Sequence, residues 1–454
     1  MIKSIHTYID SIWHYLTICW LKRKVTVQPR SYLWSGVNLI LISQLSLAED
    51  SRLPIKVEIS GSGEQYQLLR AGAPYSVLGA GAHVNDLPSL RAHGANSVRT
   101  WHVGEGEILD QAEALGMTVS LCLDVARERL GFDYDDSDKV AEQLANLTAQ
   151  VQRFHQHPAL LTWIIGNELN FDSTNPKVWD AVNDIAEMIH RVDPYHPVTT
   201  ALAGLDPRVI GLVKERAPAL DFLSIQVYGG LLSLGGAIQR ANLEMPVMVT
   251  EWGTIGHWEV PATTWGAPIE LTSFEKAQHY QQGYEDVIQK LAGQVIGSYA
   301  FLWGQKQERT PTWYGTLTTD GYPTEAADRL YYLWQGSWPA NRAPTMANFS
   351  LDNSTAADSV RLQAGGRYLA RVDAVDPDDD PLTYTFWVMQ ESDSSAVGGD
   401  KESVPERQGQ AIKPSGESER LITVPGSEGA YRLFVQVSDA QNSAAHANIP
   451  FYVE

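Results

Sequence analysis

LLTWIIGNELN, Leu160–Asn170, is apolar at nearly every position and then ends in Gly166, Asn167 and Glu168. An apolar run of this length reads as a strand covered on both faces, the condition of a parallel sheet packed by helices. Core packing gives no reason for an amide and a carboxylate at the carboxyl end of such a strand. PVMVTEWG, Pro246–Gly253, repeats the form and delivers Glu251 at the matching place. The two glutamates are therefore read together, as a pair carried to one rim by two strands of one sheet.

Working outward, six further segments have the same character: YSVLGAGAH (75–83), ANSVRTWH (95–102), MTVSLCLDV (117–125), PVTTALAG (197–204), DFLSIQVYG (221–229) and VIGSYAFLWG (295–304). Amphipathic segments lie between them, such as VAEQLANLTAQVQRFH (140–155) and the stretch from Thr272 to Gly293. The latter opens with Thr272 and Glu275 at capping-box spacing and closes on glycine. Strand then helix, eight times, predicts an α/β fold of the (β/α)8 TIM-barrel type. An open doubly wound sheet is the competing arrangement, but no glycine-rich phosphate loop follows the first strand.

Strand alternation sorts side chains between axis and helices. In the fourth strand it groups Thr162, Ile164, Gly166 and Glu168 on one face, and Leu161, Trp163 and Ile165 on the other. In the sixth, Ser224, Gln226 and Tyr228 oppose Leu223, Ile225 and Val227. Barrel enzymes keep their catalysts at the carboxyl ends of the strands. That rim collects Arg99, Trp101 and His102 from the second strand, Asp124 from the third, and Asn167 and Glu168 from the fourth. Tyr228, Glu251 and Trp303 come from the sixth, seventh and eighth. Two carboxyls facing each other suit cleavage of a glycosidic bond with retention, one protonating the leaving oxygen while the other attacks the anomeric carbon. Arg99 and the Tyr228 hydroxyl are placed to hold one of the pair ionised. Asp124 reads as structural.

As a set, IIGNEL, VTEWG and GANSVRTWH resemble the retaining glycoside hydrolases of clan A. The barrel is similar to those of families 2 and 5, and also to the family 72 glucanosyltransferases. The resemblance covers roughly residues 54–335. It implies Glu168 as acid/base, Glu251 as nucleophile and Asn167 as the donor to a sugar 2-hydroxyl. It further implies Arg99 and Tyr228 as orienting groups and Trp303 as a stacking floor under the sugar. His102, beside Trp101, reads from its position alone as either a substrate contact or a bystander. The chain has Asn-Glu-Leu where family 5 commonly has Asn-Glu-Pro. The implied activity is a retaining β-glycosidase acting on a β-glucan or related oligosaccharide. A glucanosyltransferase and a non-catalytic carbohydrate-binding barrel are the alternatives.

Composition agrees with that class of ligand. The chain has 454 residues, 44% hydrophobic and 19% charged, and a net charge of −20. Such an acidic balance argues against nucleic acid or an anionic membrane surface and suits a neutral carbohydrate partner. No His/Cys cluster with zinc spacing occurs in the barrel, and the reaction calls for no metal or cofactor. Of two cysteines, Cys19 and Cys122, the second falls within a strand and reads as a small buried hydrophobe.

Three further segments complete the organisation. Residues 1–48 have the basic-then-apolar order of a signal peptide or amino-terminal anchor and imply export. Residues 49–340 form the barrel with a short leading hairpin that plugs its floor. After a linker at Asn341–Pro344, residues 344–454 alternate short strands and turns, as in a small immunoglobulin- or cadherin-like β-sandwich. The aspartate-rich DAVDPDDDPLTY (373–384) fits either a Ca²⁺ site or a solvated turn. The polar ESDSSAVGGDKESVPERQGQ (391–410) reads as a mobile loop. None of residues 344–454 is expected in the active site.

Overall fold

The computed structural model describes residues 53–63, 65–409 and 412–454; the leader-like segment 1–48 lies outside them. Eight parallel strands close into a barrel: β1 Leu78–Ala82, β2 Ser97–Arg99, β3 Thr118–Leu123, β4 Leu160–Asn167, β5 Val198–Ala203, β6 Leu223–Gln226, β7 Val247–Trp252 and β8 Val295–Trp303. Helices α1 Leu87–Ala92, α2 Glu107–Ala114, α3 Ser137–Phe154, α4 Lys177–Val192, α5 Pro207–Arg216, α6 Leu234–Arg240, α7 Ser273–Gly283 and α8 Glu325–Gln335 follow the strands in turn. Local chemistry sets their starts. Asp136 caps α3 through the Lys139 amide, and the Thr272–Glu275 capping box closes on both sides at α7. In α4, Val178, Val182, Ile185 and Ile189 form one apolar stripe and are buried against the barrel. Beyond Gly283 the α7 ladder widens into a π-turn over Tyr284–Ile288, so the long helix read from Thr272 to Gly293 is interrupted.

Inside the barrel the layers differ in chemistry. Near the floor, Tyr299 exchanges hydrogen bonds of 2.7 Å with the hydroxyls of Ser97 and Ser120, and Thr162 donates to Ser120 at 2.9 Å. Above them Cys122, Ile164 and Ala201 pack as a dry layer, and burial pushes the Cys122 thiol up to about 12. The leading hairpin, Val57–Ser60 with Gln67–Arg70, buries Val57 and Leu68 against Phe222, Met248, Ile296 and Tyr299 and plugs the floor. Leu161 joins that floor cluster, whereas Trp163 and Ile165, grouped with it by alternation, pack in the main core with the helices. The β3–β4 register slips between the Val119–Leu160 and Ser120–Thr162 pairs, and the skipped Leu161 turns inward.

The second layer system begins at Thr345. Strands β9 Thr345–Leu351, β10 Val360–Leu362, β11 Arg367–Val375, β12 Thr383–Gln390, β13 Arg407–Gln408, β14 Glu419–Thr423, β15 Gly429–Ser438 and β16 Ala444–Val453 form two sheets. Their orders are β9-β11-β14 and β10-β16-β15-β12-β13. Phe349, Leu351, Val372, Phe386, Leu433, Val435, Ile449 and Phe451 fill the space between them. Asp376 Oδ1 accepts from the Asp378 and Asp380 amides, while Asp380 accepts from Gln441. The aspartate-rich segment is thus a turn closed in part by its own backbone amides, and its carboxylates do not converge on a metal-sized group among the described residues.

Barrel and sandwich share a buried polar seam. Glu270 of the barrel accepts from Lys276 at 2.5 Å, from Thr310 at 2.6 Å and from Asn448 of β16 at 2.6 Å. Arg432 of β15, almost fully buried, reaches Asn448, Glu391 and the Pro268 carbonyl. Burial opposes ionisation of Glu270, yet the Lys276 ammonium beside it holds its carboxyl down to about 2. The linker is equally engaged. Asn341 donates to Asp439 at 2.8 Å, and the Ala343 amide donates to Asp328 at 2.6 Å.

Candidate active site

Strict alternation sends Asn167 and Glu168 to opposite faces, yet both line one cavity at the barrel mouth. The backbone resolves the conflict with a bulge. The β4–β5 pairing jumps from Ile164–Thr199 to Asn167–Ala201, which inserts one extra residue in β4. Gly166 takes φ +69° there, a conformation that glycine adopts without penalty, and a Cβ would meet Leu169 at 2.9 Å. Glu168 follows at φ +53°. The β6–β7 pairing jumps likewise, from Ile225–Val249 to Gln226–Glu251. This turns Glu251 from the helix-facing parity of Val247 and Val249 into the mouth. The carboxyl ends of both catalytic-candidate strands are therefore irregular, and the irregularity places the polar groups.

Glu251 is buried and accepts three side-chain donors. Arg99 donates to Oε1, Trp101 Nε1 donates to the same oxygen at 2.8 Å, and the Tyr228 hydroxyl donates to Oε2 at 2.9 Å. Arg99 has no exposed surface; its other terminal nitrogen donates to Asn167 Oδ1, which also accepts from Gln226 at 2.6 Å. With its oxygen doubly occupied, Asn167 keeps its amide NH₂ to offer the cavity. Burial and the charge of Glu251 push the Tyr228 hydroxyl well above its ordinary range, so it remains a donor. A carboxyl group that accepts three such donors is held in a fixed orientation.

Glu168 has the opposite environment. Among the described residues no group donates a hydrogen bond to its carboxyl. Although the cavity touches it, protein surrounds it on most sides, and this desolvation together with the Glu251 charge raises it to about 8. Arg99, Arg127 and Arg129 pull the other way without prevailing. One carboxyl is thus kept protonated near neutrality, while its partner is fixed by three hydrogen-bond donors.

The remaining rim residues sort less uniformly. His102 lines the cavity and shares a 2.5 Å hydrogen bond with Asp124, which raises the imidazole. Trp303 does not form a floor. It is fully buried among the helix-facing residues, donates to the Ser89 hydroxyl at 3.0 Å and packs on His93. The cause is a one-residue slip in the β8–β1 pairing between Ala300–Ala80 and Trp303–Ala82. Phe301, two residues earlier, takes the inward place and packs edge-on against Trp101 and Tyr228. Trp258, 60% exposed on the loop after β7, stands edge-on to Tyr228 at the same cavity. Its loop position gives no periodic signal from which to infer that place.

The cavity is about 1160 Å³, above the ~1,000 Å³ that holds a drug-sized ligand, so more than one sugar ring fits. Gly398–Glu402 and Val404 of the sandwich line it, contrary to the expectation that residues 344–454 stay outside the site. The segment read as a mobile loop is docked. Arg129 holds the Asp400 carboxylate by two hydrogen bonds of 2.8 Å, Lys306 donates to the Gly399 carbonyl, and the Arg309 amide donates to Glu402.

Residues 76–231 match the family model described as glycosyl hydrolases family 2, TIM barrel domain. The match takes in Arg99, Asn167, Glu168 and Tyr228 and stops before Glu251. No curated protein matches the chain in sequence. Among solved structures, Bacteroides uniformis β-glucuronidase 2, covalently bound to cyclophellitol-6-carboxylate aziridine, aligns with TM-score 0.50 and 14% identity over 88% of this chain and 48% of that one. A family 2 β-galacturonidase from Eisenbergiella tayi bound to galacturonate gives TM-score 0.49 and 17% identity over 62% and 54%. The chain spans about half the length of these proteins, and at such identities the likeness is one of fold.

Proposed function

We propose that this protein is a retaining β-glycosidase that cleaves an O-glycosidic bond of a β-glucan or related oligosaccharide by double displacement. The observation that carries the proposal is the contrast between two carboxyls in one cavity, Glu251 held by three donors and Glu168 desolvated and protonated. In the first step Glu251 attacks the anomeric carbon while Glu168 gives its proton to the leaving oxygen. In the second, Glu168 takes a proton from water, which displaces Glu251 from the sugar. The sugar at the point of cleavage lies against Trp101 and Phe301, with the Asn167 amide offered to its 2-hydroxyl. The family match to the barrel and the strand-end positions support this reading.

The test is a panel of aryl β-glycosides and β-linked oligosaccharides, followed by proton NMR of the first-formed sugar. A β-configured initial product is expected. An α-configured product, or no cleavage of any member of a panel spanning glucosides, galactosides, mannosides and uronides, would defeat the proposal.

A further inference from the structure

The loop Glu391–Glu406 leaves the sandwich and returns to it, and in between it is held at three levels. At its base the buried Arg432 grips Glu391 at 2.6 and 3.0 Å. Midway, Arg309 reaches the Ser394 carbonyl, and its amide meets Glu402 at 2.8 Å. At the tip, Asp400 accepts both ends of the Arg129 fork. Bidentate pairs of this kind fix geometry as well as distance. A long polar loop needs no such fastening unless its position matters.

What the fastening presents is a mixed wall. Leu130 of the barrel and Val404 of the loop line the cavity yet are 66% and 63% exposed, large apolar faces left uncovered by the protein. Beside them are Arg127 and Lys401, for whose side chains no hydrogen bond or ion pair is present among the described residues. Apolar faces next to free donors suit a polyhydroxylated ring, which has apolar C–H surfaces and accepting hydroxyls. The loop also reaches the segment that carries Glu168: a Cβ at Gly398 would meet the Phe171 ring at 3.2 Å, Arg129 lies over the same ring, and the Phe171 amide donates to the Glu168 carbonyl at 3.0 Å. The wall therefore stands on the side of the acid, where the leaving group departs.

We propose that the sandwich loop builds the leaving-group subsite, with Lys401 and Val404 of the loop opposite Arg127 and Leu130 of the barrel, and that this subsite takes a leaving group which is itself a sugar or chain of sugars. The assignment of sides rests on Glu168 being the acid of the proposed reaction.

The experiment compares the full chain with Lys401→Ala/Val404→Gly and with Arg361→Ala, a control on the far surface pair with Glu454. The readout is kcat/KM for an oligosaccharide divided by kcat/KM for the aryl glycoside of the same sugar. The ratio is expected to fall by about tenfold or more in the double variant and to stay level in the control. Thermal unfolding verifies that each variant is folded. An unchanged ratio in a folded double variant overturns the inference and leaves the glycosidase reading intact. Calorimetric binding of the oligosaccharide to Glu251→Gln, with and without the loop changes, separates the two claims. Loop-dependent binding without any turnover by the unaltered chain keeps the subsite and removes the reaction; absent binding removes the subsite.

Discussion

Tyr228 donates its hydroxyl to Glu251 Oε2 at 2.9 Å from the neighbouring strand, while Arg99 and Trp101 both serve Oε1. The two oxygens of the carboxylate are thus not equivalent. Removing the single donor on Oε2 frees that oxygen to rotate and leaves the cationic partner in place. Tyr228→Phe is expected to lower kcat by roughly 10- to 150-fold, the equivalent of about 1.5–3 kcal/mol for a hydrogen bond to a charged acceptor. The protein should melt near its original temperature. Steady-state kinetics on an aryl glycoside reads this, and an unaltered kcat would show that the hydroxyl does not orient the carboxylate in the reaction.

Trp303→Ala tests the opposite kind of aromatic residue. Its indole is enclosed by the helix-facing core and hydrogen-bonded to Ser89. Truncation is expected to cost roughly 3–5 kcal/mol of stability, as for large aromatic residues in cores, with KM little changed. Chemical denaturation and kinetics of the folded fraction check both parts. A sharp rise in KM with undiminished stability would return Trp303 to the substrate site.

These two residues show where the sequence is legible and where it is not. Eight apolar strands with helices between them announce the barrel, and Tyr228 follows alternation without fault because β6 is regular up to Gln226. Asn167, Glu251 and Trp303 all sit beyond a one-residue slip in pairing. A slip changes which face a residue takes, and apolar periodicity carries no mark of it; Gly166 alone is a local signal of such a bulge. Long-range docking is still less visible. Nothing in the polarity of residues 391–406 announces Arg129, Arg309 and Lys306 waiting on the barrel.

The polar seam predicts that the two domains stand or fall together. Ending the chain near Asn341 removes Asn448 from Glu270 and exposes a surface shaped around Arg432. The shortened barrel is expected to aggregate or to melt well below the full chain, and any folded fraction should lose oligosaccharide cleavage. Lys276→Met probes the seam without truncation. It strands the buried Glu270 charge, for which about 3–5 kcal/mol is the usual cost. A drop in unfolding free energy much smaller than this would show the seam to be hydrated.

The pH dependence follows from Glu168. Its folded value, about 8, lies above the 4.5 of an unperturbed glutamate. The folded state therefore binds a proton that the unfolded chain has released, and stability falls as pH rises between those two values. Glu325, raised to about 8, and Asp328, raised to about 7, add slopes of the same sign. Glu168→Gln should flatten the stability profile in that window without levelling it. In the intact protein kcat/KM should decline above about pH 8 as the acid is lost. An alkaline limb that survives in Glu168→Gln, assayed on a substrate with an activated leaving group, would assign it to another residue.

The separate roles of the glutamates are open to a chemical test. A 2-fluoro sugar with a good leaving group should form a lasting ester on Glu251. Fluorine destabilises the oxocarbenium-like transition states, and breakdown of the covalent species slows more than its formation. Glu251→Ala should lose turnover, because Arg99, Trp101 and Tyr228 then face an empty place. Azide filling that place attacks from the nucleophile's side and restores reaction only with inverted configuration. Glu168→Ala should still form the intermediate from aryl glycosides whose leaving group needs no proton. Azide then meets that intermediate from the opposite face, and the product retains its configuration. Peptide mass spectrometry locates the label, and NMR reads the configuration of each azide product. A label on any carboxylate other than Glu251, or the same azide product from both variants, would reverse the assignment.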